Sequence, residues 1–224
     1  LFTNIMQELY QKAKKLIDEG KEILIISHRK PDPDTLGAAL ALGIWLKSEA
    51  KNVTFACYDK PSKDFAFLPH ISEFVDNFNL ETFDLIIIVD AGACHMTNFQ
   101  LKYENLFSSG IPIINIDHHA SNDNFGTINI VDAAAASATV MVYRMLNFWK
   151  VEIDEKIATC LLAGVYSDTG GFMHSNTNKE VYDIAAVLMK KGASIADISK
   201  FLFRTKTVEA LKLWGQVLEK ACIT

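Results

Sequence analysis

The chain has 224 residues, half of them hydrophobic, and a net charge of -5 with a pI near 5.7. That length suits one substantial core, or one domain and the start of another. The acidic balance argues against a broad nucleic-acid or membrane-surface patch, because attraction to polyanions needs excess Lys and Arg, yet it leaves room for a small phosphate ligand held by metal ions.

In chain order, residues 4 to 18 read as an amphipathic helix ending near Gly20, and Ile23 to Ile26 as a buried strand. Thr35 to Lys47 reads as a helix and Val53 to Cys57 as a second strand. Residues 59 to 80, with Pro61 and Pro69, read as irregular with one helical turn at most. Leu85 to Val89, the most strongly apolar stretch, is a third strand, Ile111 to Ile116 a fourth, and Ile128 to Val131 an edge strand. Helices follow at Ser137 to Phe148, Asp154 to Tyr166, Asn178 to Lys190 (with Gly192 as its stop), Ser194 to Phe203 and Val208 to Lys220. Apolar, non-alternating strands separated by helices predict an α/β fold: a doubly wound, mostly parallel five-stranded sheet with helices on both faces. No apolar run reaches the length of a membrane span; the longest, Leu36 to Leu46, holds two glycines and is the length of a buried helix. Cys57, Cys94, Cys160 and Cys222 show no CxxC spacing and read as reduced, mostly buried thiols of a cytoplasmic protein. The chain begins Leu-Phe-Thr-Asn without an initiator Met or a signal pattern, which reads as a processed or trimmed start.

In open α/β sheets ligands bind beyond the carboxyl ends of the strands. The first strand is followed by Ser27-His28-Arg29-Lys30-Pro31-Asp32-Pro33-Asp34, the third by Asp90, and the fourth by Asp117-His118-His119. Each piece has a bland reading. Pro-Asp-Pro-Asp is good turn and N-cap chemistry. Asp90 reads equally as a cap for the turn Ala-Gly-Ala or as a ligand, since a carboxylate ending a buried strand must be paired. Asp168, in Ser167-Asp168-Thr169-Gly170-Gly171, reads by pattern alone as part of a helix-terminating turn. Taken together, imidazoles mixed with four carboxylates suit hard or borderline divalent ions such as Mn²⁺ or Mg²⁺. Two ions need a shared carboxylate, and Asp90, ending the most buried strand, is the central candidate.

Four ordered pieces resemble the signature of the DHH phosphoesterases: His28-x-x-x-Asp32-x-Asp34-x-x-Gly37, then Asp90, then Asp117-His118-His119, then Asp168-Thr169-Gly170. The likeness runs from about residue 5 to about residue 220. Within that family the third and fourth pieces, through Asn122, Phe125, Gly126 and Asp132 and through Phe172, Ser175, Asn176 and Thr177, are most similar to NrnA-type oligoribonucleases (nanoRNases). The resemblance implies His28 and Asp32 on one metal, Asp34, His118 and Asp168 on the other, Asp90 bridging, His119 as a catalytic and substrate-binding residue facing the phosphate, and Asp117 as an orienting residue. It implies two divalent cations, Mn²⁺ first and Mg²⁺ second, and a metal-activated water as nucleophile. It further implies residues 1–203 as the catalytic metal-binding domain and 204–224 as a connector helix toward a C-terminal substrate-binding domain. Nothing after Thr224 supplies that domain's motif, so the chain reads as a fragment that turns over substrate poorly.

The implied partners are short RNA oligonucleotides or small phosphorylated nucleotides, with no membrane and with a homodimer compatible. The leading activity is hydrolysis of short oligoribonucleotides, with 3′-phosphoadenosine 5′-phosphate as a further substrate. Cyclic-dinucleotide or pyrophosphate hydrolysis and a non-catalytic nucleotide-sensing domain are the alternatives. Pro33 and Ala38 stand where relatives often carry Gly and Ser. His70, His95, His174 and Arg144 read as surface or loop residues, His174 with a lesser reading as a stand-in for a basic residue. Phe65, Phe67 and Leu68 read as core or interface.

Overall fold

A computed structural model describes residues 2–203 and 208–220. The described elements are α1 (Phe2–Glu19), β1 (Glu22–Ser27), α2 (Pro33–Ser48), β2 (Asn52–Ala56), β3 (Leu85–Val89), β4 (Ile113–Asp117), β5 (Ile128–Val131), α3 (Ala138–Phe148), α4 (Glu155–Asp168), α5 (Lys179–Lys190), α6 (Ile195–Phe203) and α7 (Val208–Glu219). Short 3₁₀ turns fill the intervals at Lys63–Phe65, Ile71–Glu73, Leu80–Thr82, Cys94–Thr97 and Phe99–Leu101.

The five strands form one parallel sheet in the order β2-β1-β3-β4-β5. Each pairing is in register over several residues, for example Ile25 with Ile87 and Ile116 with Ile130. The chain leaves β1 toward β2 and then returns to build β3, β4 and β5 on the other side. The strand order therefore reverses between β1 and β3, which is where an open α/β sheet forms its ligand crevice. β3 is buried along its whole length, as its unbroken run Leu-Ile-Ile-Ile-Val requires.

Polar side chains set the helix starts. Asp32, Ser137, Asp154 and Asn178 each cap a helix by accepting from backbone amides one turn in, at 2.8–3.1 Å. Gly192 closes α5 at a φ of 107°, a conformation that suits glycine. α4 runs two residues beyond its expected end and takes in Asp168, so this carboxylate ends a helix rather than following one.

The two faces of the sheet are covered differently. On one, α1 to α6 share a continuous core with Ile25, Ile87, Ile114 and Ile130. On the other, Leu24, Ile26, Ile86 and Ile88 pack against Leu80, Phe83, Phe99 and Leu106, supplied by 3₁₀ turns and loops. Among the described residues, 3₁₀ turns and loops cover that second face. The segments covering the second face carry Asn98 at φ 57° and Gly110 at φ 82°, which interrupt helical periodicity. Leu68 is buried, and the Phe67 ring stacks on Phe201 at 5.0 Å, so this cluster is core as expected.

Helix α2 is apolar all round because it is sandwiched between the sheet and α4. Two glycines permit that approach. A Cβ on Gly37 would lie 2.3 Å from the Cys160 carbonyl oxygen, and one on Gly164 would lie 2.6 Å from the Asp34 carboxylate.

Candidate metal centre

The carboxyl ends of β1, β3 and β4 converge, and their terminal residues meet side chains from α2 and α4. Three overlapping groups have ligand atoms within 4.8 Å of one another: His28, Asp32 and Asp90; Asp34, His118 and Asp168; and Asp90, His118 and His119. All six expected metal ligands and His119 are therefore brought together. His70, His95 and His174 lie outside these groups.

Asp90 stands in the middle. It is buried, at the end of β3, with its backbone in the left-handed region at a φ of 58°. Asp tolerates that conformation better than most residues. Its Oδ2 lies 3.3 Å from His28 Nε2, and its Oδ1 lies 3.5 Å from His118 Nε2. Burial works to raise its pKa, but the two imidazoles hold it well below the usual carboxylate range. Oδ1 is nevertheless buried without a hydrogen-bond donor.

Asp32 carries both of the readings its sequence allowed. Oδ1 caps α2 by accepting from the Asp34 and Thr35 amides at 2.9 and 3.1 Å, while Oδ2 faces His28 Nε2 at 3.7 Å. Pro33 takes the first helical turn, where no amide is needed. The Thr35 hydroxyl donates to the Val89 carbonyl at 3.1 Å and accepts from the His28 amide at 3.4 Å, tying α2 to the ends of β1 and β3.

His28 Nδ1 lies 2.7 Å from the Arg29 carbonyl. A carbonyl can only accept, so Nδ1 carries the proton and Nε2 turns toward Asp32 and Asp90. Burial opposes protonation of this ring, but the carboxylates of Asp32 and Asp90 override it and raise its pKa to about 11. His118 Nε2 faces Asp168 Oδ2 at 3.4 Å as well as Asp90. Against burial, Asp90 and then Asp34 raise its pKa to about 9. Burial, opposed by His118, pushes Asp168 up to about 6.

Asp34 is fully buried. The Ala138 amide donates to its Oδ2 at 2.6 Å, and the Thr139 amide and hydroxyl donate to its Oδ1 at 3.0 and 2.6 Å. Burial, then Asp90, Asp168 and Asp32, raise its pKa well above the carboxylate range. Asp117, also fully buried, accepts from His119 Nδ1 at 2.7 Å and from Asn122 at 2.6 Å. That contact raises the His119 pKa and leaves Nε2 as the free edge of a half-exposed ring.

The cluster fits divalent cations. Nε2-to-carboxylate separations of 3.3–3.7 Å are long for hydrogen bonds, whereas two ligand atoms each about 2.1 Å from one ion at right angles lie about 3 Å apart. The orphaned Asp90 Oδ1 and the tautomer-locked His28 meet the same requirement. Mixed imidazole and carboxylate donors without thiolate suit ions of the Mn²⁺ or Mg²⁺ type.

Sequence reasoning missed several supports. Thr139, Thr35 and Gly164 had no visible tie to the cluster. The Ser137-Ala138-Thr139 start of a helix signals a cap, but its partner Asp34 is 105 residues from Thr139. Arg144, expected as an ordinary surface residue, clamps Asp132 through Nη1 at 2.6 Å and Glu180 through Nε and Nη2 at 2.7 and 2.6 Å. Its carboxylate partners come from the end of β5 and from α5, which a helical pattern does not show. His174 is exposed, yet its Nδ1 donates to the Asp168 carbonyl at 3.2 Å and its ring covers Gly170.

The chain is similar to several known proteins. The chain is 32% identical over 202 residues to the bifunctional oligoribonuclease and PAP phosphatase NrnA of Thermus thermophilus, covering 88% of this chain and 58% of that protein. It is 26% identical over 214 residues to the cyclic-di-AMP phosphodiesterase GdpP of Bacillus subtilis, covering 86% of this chain and 31% of that protein. The crystal structure of an exopolyphosphatase-related protein from Bacteroides fragilis superposes with a TM-score of 0.90 at 25% identity, over 97% of this chain and 66% of that one. The chain thus spans less than two thirds of these proteins' lengths. Residues 22–165 match the family described as DHH family, N-terminal domain. More than half of the chain falls within that match, and the protein belongs to the DHH family.

Proposed function

We propose that the chain is the catalytic part of a metal-dependent phosphodiesterase that hydrolyses short oligoribonucleotides, with 3′-phosphoadenosine 5′-phosphate as a further substrate. The observation that carries this reading is Asp90, whose two oxygens face different imidazoles at 3.3 and 3.5 Å while one of them is buried and unpaired. A carboxylate so placed would serve both ions of a two-metal site.

In this reading His28, Asp32 and Asp90 hold one ion, and Asp34, His118, Asp168 and Asp90 hold the other. When bound there, two divalent ions, Mn²⁺ first, would supply a water of lowered pKa and positive charge opposite the phosphoryl oxygens. His119 presents Nε2 to the phosphate and donates a hydrogen bond or a proton there, while Asp117 fixes its ring. Residues 1–203 act as the metal-binding domain, and α7 within 204–224 acts as the connector. The exposed apolar side chains of Leu211, Trp214 and Leu218 support that role for α7. Among the described residues no helix is long and apolar enough to cross a membrane, and unpaired Cys57, Cys94 and Cys160 support a cytoplasmic location.

The similarity to GdpP favours cyclic-dinucleotide hydrolysis as a second reading. One assay separates the two: Mn²⁺-dependent product release from a trinucleotide RNA, 3′-phosphoadenosine 5′-phosphate and a cyclic dinucleotide, compared side by side. Preference for the first two supports the leading reading. Preference for the cyclic dinucleotide supports the second, and inactivity on all three with Mn²⁺ bound removes both.

A further inference from the structure

The first turn of α3 supplies the hydrogen-bond donors of the buried Asp34. A buried carboxylate needs donors, but here the donors form a chain of fixed direction. The Val140 amide donates to Ser137 Oγ at 3.1 Å. Ser137 Oγ lies 2.8 Å from Thr139 Oγ1, and Thr139 Oγ1 lies 2.6 Å from Asp34 Oδ1. A carboxylate that holds a cation is ionised and only accepts, so with the ion bound the Thr139 proton points to Asp34, and Ser137 in turn donates to Thr139. Such chains polarise cooperatively.

The arrangement limits what Asp34 can do. Oδ1 takes the Thr139 amide and hydroxyl, and Oδ2 takes the Ala138 amide. A carboxylate offers about four acceptor sites, so three are occupied and one remains, on Oδ2. Gly164 preserves this packing, since a Cβ there would lie 2.6 Å from both Asp34 Oδ1 and Thr139 Oγ1 and 2.4 Å from Thr139 Cγ2. Donors fill one oxygen, and α4 closes over it.

We infer that Thr139 is a positioning residue for metal binding: with the first turn of α3 it occupies Oδ1 of Asp34, so that this carboxylate meets its ion through a single oxygen at a fixed angle. The inference rests on the two-ion reading above. It adds a residue whose hydroxyl never touches the ion or the substrate and which no strand-end pattern marks.

The test is Mn²⁺ binding to the full chain by calorimetry, with electron paramagnetic resonance counting free ion, and with thermal melts in chelator to verify folding. Wild type is expected to bind two ions. Thr139→Val, which keeps the shape and removes the hydroxyl, should leave one ion at its wild-type affinity and weaken the other by about tenfold or more, the usual scale for losing a group that orients a ligand. Thr139→Ala removes the same hydroxyl without adding a methyl against Asp34, and it serves if Thr139→Val does not fold. Thr139→Ser should restore the wild-type affinity. A folded Val or Ala variant that binds both ions as wild type does would overturn the inference alone, as would a Ser variant as weak as the Val variant. Wild-type chain that binds no Mn²⁺ would overturn the two-ion reading and this inference with it.

Discussion

Asp32 and Asp34 are two residues apart, yet they enter the cluster on different terms. Asp32 keeps 47% of its side chain exposed and divides its oxygens between capping α2 and facing His28. Asp34 is fully buried and held by three donors from α3. The outer half of the cluster, His28 and Asp32, hangs on a loop after β1. The inner half, Asp34, His118 and Asp168, is fixed by helix ends and a strand end. Asp90, with 3% of its side chain exposed, joins them. The difference teaches that one short motif can supply an adaptable ligand and a rigid one, because the cap of this helix faces solvent while its second residue reaches the core.

Breaking the joint should have the largest effect. Asp90→Ala removes the shared carboxylate, so both ions should be lost and kcat/KM should fall by about 10³ or more, since metal stabilisation is worth several kcal/mol at 1.36 kcal/mol per decade. Metal analysis of the dialysed variant and the trinucleotide assay check this; retention of two ions would refute the central role of Asp90.

Asp34→Asn should remove the inner ion and also destabilise the metal-free fold by about 1–3 kcal/mol. Either orientation of the new amide aims an NH₂ at the Ala138 or Thr139 amide, leaving donors facing donors. Chelator-treated denaturant melts measure it, and an unchanged midpoint would show that the inner half is not rigid.

At Asp32 the cap and the ligand can be separated. Asn caps helices as well as Asp, so Asp32→Asn should change metal-free stability by less than about 0.5 kcal/mol while weakening the outer ion. Asp32→Ala should cost about 1 kcal/mol more. Equal stability of the two variants would mean that the cap contributes nothing.

The gentlest probe is pH. In the metal-free fold His28 and His118 have pKa values raised to about 11 and about 9 from an ordinary 6.5. Their stabilisation is complete below about pH 6.5 and fades as pH rises through 9 and then 11. Ion binding needs both Nε2 atoms deprotonated, so affinity should rise over the same range. Melting temperatures with chelator should therefore fall from pH 6.5 to 9, while those with saturating Mn²⁺ should fall less or rise. Parallel curves would argue that these imidazoles do not ligate.

Much of this was readable before folding. Short unbroken apolar runs rich in isoleucine and valine read as strands buried on both faces, and parallel strands put their carboxyl ends together, so local composition placed His28, Asp90 and His118 at one edge. The helix starts at Ser137, Asp154 and Asn178 were equally legible, because capping is chemistry between near neighbours. What pattern could not supply is direction across long separations. That Asp32 splits its oxygens, that Thr139 reaches Asp34, that Arg144 clamps Asp132 and Glu180, and that loops cover one face of the sheet all depend on how α2, α3, α4 and α5 approach. Gly37 and Gly164 set the closest of these approaches, and what their missing side chains admit is known only once the helices are packed.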